Sequence, residues 1–585
     1  MKSCVVTIGG EAGFGIMSAG LTIAKLAARS GYTTFNYPEY PSIIRGGYNV
    51  VQVAISAEPI RAPRQAIDYL VALNLEAIKQ HKTSLKPGSA VIYDADQKVA
   101  GSLLPPHVGK IAVPLNKFAK DIGGNIIMRN SVALGALTAL TGGNLSALMA
   151  LIDEEFSAKK KDVAALNKKC AEAGYGYILN EYEGSVSTAL KPLSRRPERL
   201  IVSGNDAVAL GSIAAGMQFA AVYPMTPTSN ILHVLAPHQE EFGFIYKQPE
   251  DEISAITMAI GASFAGARAM VATAGGGFCL MTEGYGLAAM TETPVVIVVG
   301  MRGGPSTGLP TWTEQGDLQF VLHASQGTFP RLVLAPGDVE EAFHLTMQAY
   351  NLAEKYQGPV IILMDKHLCE SPAVAAPFSY SDYRIERGKI FDKYDEKYSR
   401  YAWSADGISP RAFPGDGNHI MANSDEHNEH GYSAEGAENR VRMMKKRLQK
   451  MATCEQKDLP TPTVYGPAEA DLTIVSWGSN KGVILDALEK YTNVNFLHLT
   501  WLNPFPTEFV RTFLSQSKRV AIFECNYGGQ LDQLIREKTG HDIKEKWFKY
   551  DGRPFFYEEV SAKIENLLRS KISATIVGSK YSPTV

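Results

Sequence analysis

The stretch "CVVTIGGEAGFGIMSAGLTIAKLAARSG", residues 4–31, decides the fold class. Residues 4–10 form an apolar run that reads as a strand. Gly10, Gly13 and Gly15 then turn the chain, and from Ile16 the apolar residues recur at the helical period of three to four. The same unit returns along the chain. "TTFNYPEY", "YNVVQVAIS", "YLVALN", "AVIYDA" and "KIAVPL" continue it, and the alternation ends near "YGYILN". A second series consists of "FAAVYP", "GFIYKQ", "ARAMVATAG", "TPVVIVVG", "RLVLAP" and "PVIILMD". Its continuous apolar runs are those of strands covered on both faces. "DLTIVSWGSNKGVILDALEKY", "VNFLHLTWLNPFP" and "RVAIFECNYGGQLDQLI" make a third series. Strands alternating with helices specify an α/β protein with doubly wound, mostly parallel sheets.

At 585 residues the chain exceeds one core, and three α/β domains are expected: 1–185, 200–375 and 461–585. Residues 186–199 read as a basic linker, and 376–460 as a polar connector or cap ending in the charged helix "AENRVRMMKKRLQKM". A net charge of −2 gives no reason to invoke nucleic acid or a membrane surface. Six cysteines with no Cys-x-x-Cys pair argue against a disulfide framework, a zinc site or an iron–sulfur cluster on this chain. In "GGGFCLM" and "VAIFECN" the thiols read as small hydrophobes. There is no apolar targeting segment and no run long enough to span a bilayer, so a cytoplasmic location is expected.

The glycine loop is spaced Gly10-x-x-Gly13-x-Gly15 and lacks the acidic residue of a dinucleotide site. It reads either as a tight strand-to-helix turn or as a seat for a phosphate-bearing ligand. Arg45, before Gly46 and Gly47, reads either as a bidentate carboxylate or phosphate ligand or as a loop cap. The densest chemistry lies in the second series. Pro224 and Pro227 stiffen a turn that displays the Thr226 hydroxyl beyond a strand. Glu250, Asp251 and Glu252 precede a helix of Ala, Gly and Ser, where carboxylates serve as caps. That helix can pack closely, and a buried glutamate at its start needs a partner. Thr273 and Arg302 are expected just past strand ends, where open α/β sheets bind ligands. "PGDGNH" reads as a turn rather than a magnesium motif. "EHNEHG" reads as a solvated surface loop rather than a metal cluster.

Several of these motifs resemble one family. "YPMTPTSN", "EDEISAITMAIGASFAGARAM", "RGGPSTGLPTWTEQGDL" and "FECNYGGQL" resemble the alpha subunit of the 2-oxoacid:ferredoxin oxidoreductases. "GGEAGFGIMSAG" with "RGGYNVVQV" is similar to that family's gamma domain. The gamma-then-alpha order with "SDEHNEHG" is most similar to the 2-oxoglutarate:ferredoxin oxidoreductases (2-oxoglutarate synthases). The resemblance implies oxidative decarboxylation of 2-oxoglutarate with coenzyme A to succinyl-CoA and carbon dioxide, reversible as reductive carboxylation, with electrons passed to ferredoxin. It implies thiamine diphosphate shared with a beta subunit that holds Mg2+ and a [4Fe-4S] cluster, no metal on this chain, and a dimer of alpha–beta pairs. It assigns Glu252 to the thiamine aminopyrimidine, with Tyr223, Pro224 and Thr273 beside the cofactor, and Thr226, Arg302 and Arg45 to the substrates. It implies a gamma domain that covers the site and helps bind coenzyme A, and a last unit resembling the transketolase C-terminal domain, a structural and dimer-forming element. The family's "TSGPG" is "TAGGG" here, its glutamine before the arginine is Met301, and Ala12 and Phe14 replace glycine and glutamine. Pyruvate, branched-chain 2-oxoacids and indolepyruvate are alternative substrates, with Arg45 or Lys366 as conceivable readers of a distal carboxylate. A nicotinamide-dependent dehydrogenase and a non-catalytic scaffold are the alternatives from other classes.

Overall fold

The computed structural model describes residues 3–43, 46–97, 100–156, 161–187 and 189–570. Its strands form three sheets of eight, seven and five. In the first, Ser3–Glu11, Ile67–Ala72, Leu85–Asp94 and Gly109–Val113 pair in parallel. Tyr48–Ser56 runs antiparallel between Ser3–Glu11 and Thr33–Glu39, so this sheet is mixed. Thr33–Glu39 and Tyr48–Ser56 are joined through residues 40–47, too few for a crossover helix, and only antiparallel strands accept so short a connection. "YGYILN" closes the Lys161–Glu181 helix.

The second sheet is ordered Trp501–Asn503, Leu332–Leu334, Pro359–Asp365, Val295–Met301, Ala269–Ala274, Phe219–Ala221, Ile245–Lys247. All its pairs are parallel except the one made by Trp501–Asn503. Val295–Met301 and Pro359–Asp365 are buried along their whole length, as strands covered on both faces must be. The third sheet is parallel except for its edge strand Thr463–Tyr465. Short strands are exchanged between the units. Leu200–Val202 and Ala373–Ala375 extend the first sheet, and Trp501–Asn503 extends the second. The second and third units also share one core, in which Val271, Val299 and Phe278 meet Trp477, Leu499 and Ile522.

Residues 376–436 carry no helix or regular strand among the described residues, and Ala437–Lys457 is a helix. Buried charge holds this segment to the second unit. Glu292 receives Lys446 at 2.7 Å and Lys450 at 2.5 Å, while its backbone oxygen accepts from Arg400 at 2.7 Å. Burial opposes ionisation of Glu292, but Lys446, Lys450 and Arg400 outweigh it and hold the carboxyl far below its ordinary range. "EHNEHG" is therefore not a solvated loop. His427 is buried against Tyr401, ring centroids 4.2 Å apart, and Glu426 pairs with Arg440 and Arg447. The arginine-rich helix supplies partners that make this burial affordable. No helix among the described residues is long and apolar enough to cross a membrane.

Candidate functional site

The site is built where three connections meet at the carboxyl end of the second sheet. The first connection is residues 222–229, leading into the Asn230–Phe242 helix. The second is the Ala269–Ala274 strand passing directly into the Gly275–Met290 helix. The third is the loop from Arg302 to Asp317, after Val295–Met301.

Asp251 caps the Glu252–Phe264 helix, its Oδ1 accepting from the Ser254 amide at 2.7 Å. Glu250 is exposed. Glu252, the next residue along, turns inward and is only 3 % exposed, yet its Oε1 has no hydrogen-bond partner. Thr273 is fully buried inside its strand rather than beyond it, and its Oγ1 is also unpartnered. Both atoms face Gly277. A Cβ placed there would lie 2.1 Å from Thr273 Oγ1 and 2.6 Å from Glu252 Oε1. Glycine is required by this approach of side-chain oxygens, and further along the helix Gly284 admits Ile256 in the same way. A buried carboxylate without a donor is strongly disfavoured, which marks this pair as a candidate ligand site.

Arg302 and Thr226 are brought together. Arg302 Nη1 donates to the Thr226 backbone oxygen at 2.8 Å, and Arg302 Nε is buried without an acceptor. Burial pushes the Arg302 guanidinium down, and Asp317 partly restores it. Tyr223 is half-buried and Pro224 exposed on the same turn. The Thr226 hydroxyl is left to any ligand beside the arginine.

Asp317 is a residue whose role the sequence concealed. It immediately precedes the Leu318–His323 helix, but its side chain caps nothing. Instead its Oδ2 lies 2.3 Å from where a Cβ on Gly275 would stand, at the start of the glycine helix. Burial, with Glu314 adding to it and Arg302 opposing, pushes its carboxyl from the ordinary 3.8 up to about 6. The native state thus binds the proton more tightly than the unfolded chain, and stability is lost as pH rises through that interval. Asp317→Asn is expected to stabilise the protein near pH 7 by on the order of 2 kcal/mol and to have no effect below about pH 4. Thermal-unfolding midpoints of both forms at the two pH values check this.

Other expected ligands lie elsewhere. Arg45 falls outside the described residues. Lys366 is committed, donating to the Pro38 oxygen at 3.1 Å and pairing with Glu370 at 3.5 Å. The glycine loop borders a separate cavity of about 420 Å³ that contains Gly13, Gly15, Asn130 and Glu155, with no basic side chain among the described lining residues. Phe14 in that loop stacks under Arg129 at 3.7 Å. Cys279 is exposed, whereas the other five cysteines are buried. Ile253, Met258 and Leu280 on the same pair of helices are 52 %, 45 % and 51 % exposed.

An α/β chain whose buried, unpartnered carboxylate and hydroxyl face a glycine helix at the carboxyl end of a parallel sheet belongs to the class that keeps its ligand crevice there. The comparisons with known proteins specify the class further. The family model described as "Pyruvate flavodoxin/ferredoxin oxidoreductase, thiamine diP-bdg" matches residues 210–446, and "Pyruvate ferredoxin/flavodoxin oxidoreductase" matches residues 5–177. The 2-oxoacid:ferredoxin oxidoreductase subunit alpha of Sulfolobus sp is 34 % identical over 96 % of each chain. The 2-oxoglutarate oxidoreductase subunit KorA of Mycobacterium tuberculosis is 30 % identical over 98 % of this chain and 93 % of its own. The solved 2-oxoglutarate:ferredoxin oxidoreductase from Magnetococcus marinus, with 2-oxoglutarate, coenzyme A and succinyl-CoA bound, superposes with a TM-score of 0.89. It is 33 % identical, covering 97 % of this chain and 100 % of that one. The chain belongs to the alpha subunits of the 2-oxoacid:ferredoxin oxidoreductases.

Proposed function

We propose that this chain, paired with a beta subunit, oxidatively decarboxylates 2-oxoglutarate with coenzyme A to succinyl-CoA and carbon dioxide, passing two electrons to ferredoxin. The observation that carries the reading is the unpartnered Glu252 Oε1 and Thr273 Oγ1 facing Gly277. Their setting fits a flat ring whose nitrogen shares a proton with the carboxyl group, as the aminopyrimidine of thiamine can. When bound, thiamine diphosphate supplies an acidic carbon nucleophile for the 2-oxo carbon and an electron sink for the bond to carbon dioxide. Glu252 would hold the aminopyrimidine by sharing a proton with its ring nitrogen, and Thr273 would line the same cradle. Thr226 offers its hydroxyl to the 2-oxoacid, and Arg302 offers the fork of its guanidinium to a carboxylate.

The exposed surface of Ile253, Met258 and Leu280 supports docking of the beta subunit over Glu252, excluding water from the proton. The diphosphate, its Mg2+ and the iron–sulfur cluster belong to that subunit in this reading, and alpha–beta pairs assemble as a dimer. 2-Oxoglutarate is preferred among the 2-oxoacids because the full-length structural likeness is to a protein with that substrate bound.

The test uses the complex purified anaerobically with its native partner, following reduction of a low-potential viologen dye with coenzyme A and thiamine diphosphate. Turnover is expected with 2-oxoglutarate and to be at least about 10-fold lower in kcat/KM with pyruvate, the difference one charge-assisted pair makes. Equal or preferential turnover of pyruvate or a branched-chain 2-oxoacid would overturn the substrate assignment and keep the family.

A further inference from the structure

The loop that carries Arg302 and Asp317 is held partly from its own unit, where Thr313 accepts from the His367 amide at 3.2 Å and Gln315 donates to Asp365 at 3.5 Å. Around Asp317 its closest anchors lie in the third unit, in the turn that follows the Val520–Glu524 strand. Gln315 and Cys525 exchange two hydrogen bonds, the Gln315 amide donating to the Cys525 oxygen at 2.7 Å and the Cys525 amide donating to Gln315 Oε1 at 2.9 Å. Asn526 Nδ2 donates to the Gln315 oxygen at 3.1 Å. Gln530 Nε2 donates to the Gly316 oxygen at 2.6 Å, while its Oε1 accepts from the Gln319 amide at 2.9 Å. Gln319 Nε2 returns a bond to the Gln530 oxygen at 3.0 Å.

The turn itself is fixed from beneath. Glu524, fully buried, accepts from the amides of Leu531 and Asp532 and from Asn526 Nδ2. These bonds close around residues 315, 316 and 319, on both sides of Asp317. Asp317 in turn is set against Gly275 and raises the charge preference of Arg302. A side-chain amide that reaches backbone groups on both sides of a carboxylate fixes where that carboxylate stands.

We propose that the Glu524–Gln530 turn is a positioning device for the substrate end of the site, with Gln530 as its principal residue, so that 2-oxoacid affinity is set in part from the third unit. This rests on the reading of Arg302 and Asp317 given above. Gln530 acts through Gly316 and Gln319 and touches no reactant.

The experiment uses the assembled complex with Gln530→Met, which keeps length and bulk and loses both side-chain bonds. KM for 2-oxoglutarate is expected to rise about 10-fold, the order of effect a small misplacement of a binding group produces. The affinity for thiamine diphosphate is expected to stay at the wild-type value, because Glu252 and Thr273 lie on other elements. Hydrogen exchange at the Gln319 amide is expected to quicken. Gln530→Glu retains the acceptor for that amide, so it should restore the protection and part of the KM. Glu537→Ala, an exposed position further along the same helix whose side chain pairs only with Lys538, should change none of these readouts. An unchanged KM in Gln530→Met, or a parallel loss of thiamine diphosphate affinity, would overturn the proposal. If the wild-type complex turned over no 2-oxoacid, the reading of Arg302 would fail. Exchange at Gln319 would then still decide whether Gln530 holds the loop.

Discussion

Glu252→Gln in the assembled enzyme is expected to keep thiamine diphosphate bound and to lower kcat by about 100- to 10,000-fold, the usual worth of a positioned proton-transfer group. The glutamine fills the same volume, so the cradle formed with Thr273 and Gly277 persists. What it cannot do is share a proton with the ring nitrogen while carrying negative charge. No neighbouring carboxylate can substitute. Asp251 is spent on the Ser254 amide, and Glu250 points to solvent. A loss confined to kcat, with unchanged cofactor occupancy measured on the same preparation, separates this from mere unfolding.

The second large effect is expected at Arg302. Arg302→Met preserves bulk and removes the fork, leaving a substrate carboxylate without its partner. A lost hydrogen-bonded charge of this kind corresponds to roughly 1.5–3 kcal/mol, so KM for the 2-oxoacid should rise by about 10- to 150-fold. Arg302→Lys is expected to recover only part of this, since a point charge cannot hold both the Thr226 carbonyl and a planar carboxylate. Initial-rate kinetics on the complex measure both. Equal KM values for wild type and Arg302→Met would remove the arginine from the substrate.

The α/β class was legible because the strands of the second and third series are long apolar runs buried on both faces, a pattern helices and loops do not imitate. Three-residue strands such as Ala373–Ala375 and Trp501–Asn503 carry too few residues to show a period, so their exchange between sheets was invisible. The mixed first sheet was foreshadowed only by the short connection at residues 40–47.

The Glu252–Thr273 side of the candidate site was the more readable half. Glu252 opens a small-residue helix, and Thr273 lies one residue from the end of a strand that runs into three glycines, so proximity follows from local chain direction. Asp317 was not readable, since an aspartate before a helix is ordinarily its cap and only the fold shows this one facing Gly275. Nor was Gln530, which meets Gln319 across 211 residues, a separation no local pattern encodes. His427 and Glu426 of "EHNEHG" misled in the opposite direction, because the enclosure of Glu426 depends on the basic helix that follows and His427 is buried beside Tyr401.

The most direct test of the central claim is the rate at which the thiazolium C2 proton of bound thiamine diphosphate exchanges with deuterium in the anaerobic complex, without substrate, in wild type and Glu252→Gln. Exchange is expected to be fast in the wild type and slower by about 100-fold or more in the variant, at equal cofactor occupancy. Equal exchange rates would contradict the account, because the unpartnered carboxylate on this chain would then have no part in activating a cofactor held between the subunits.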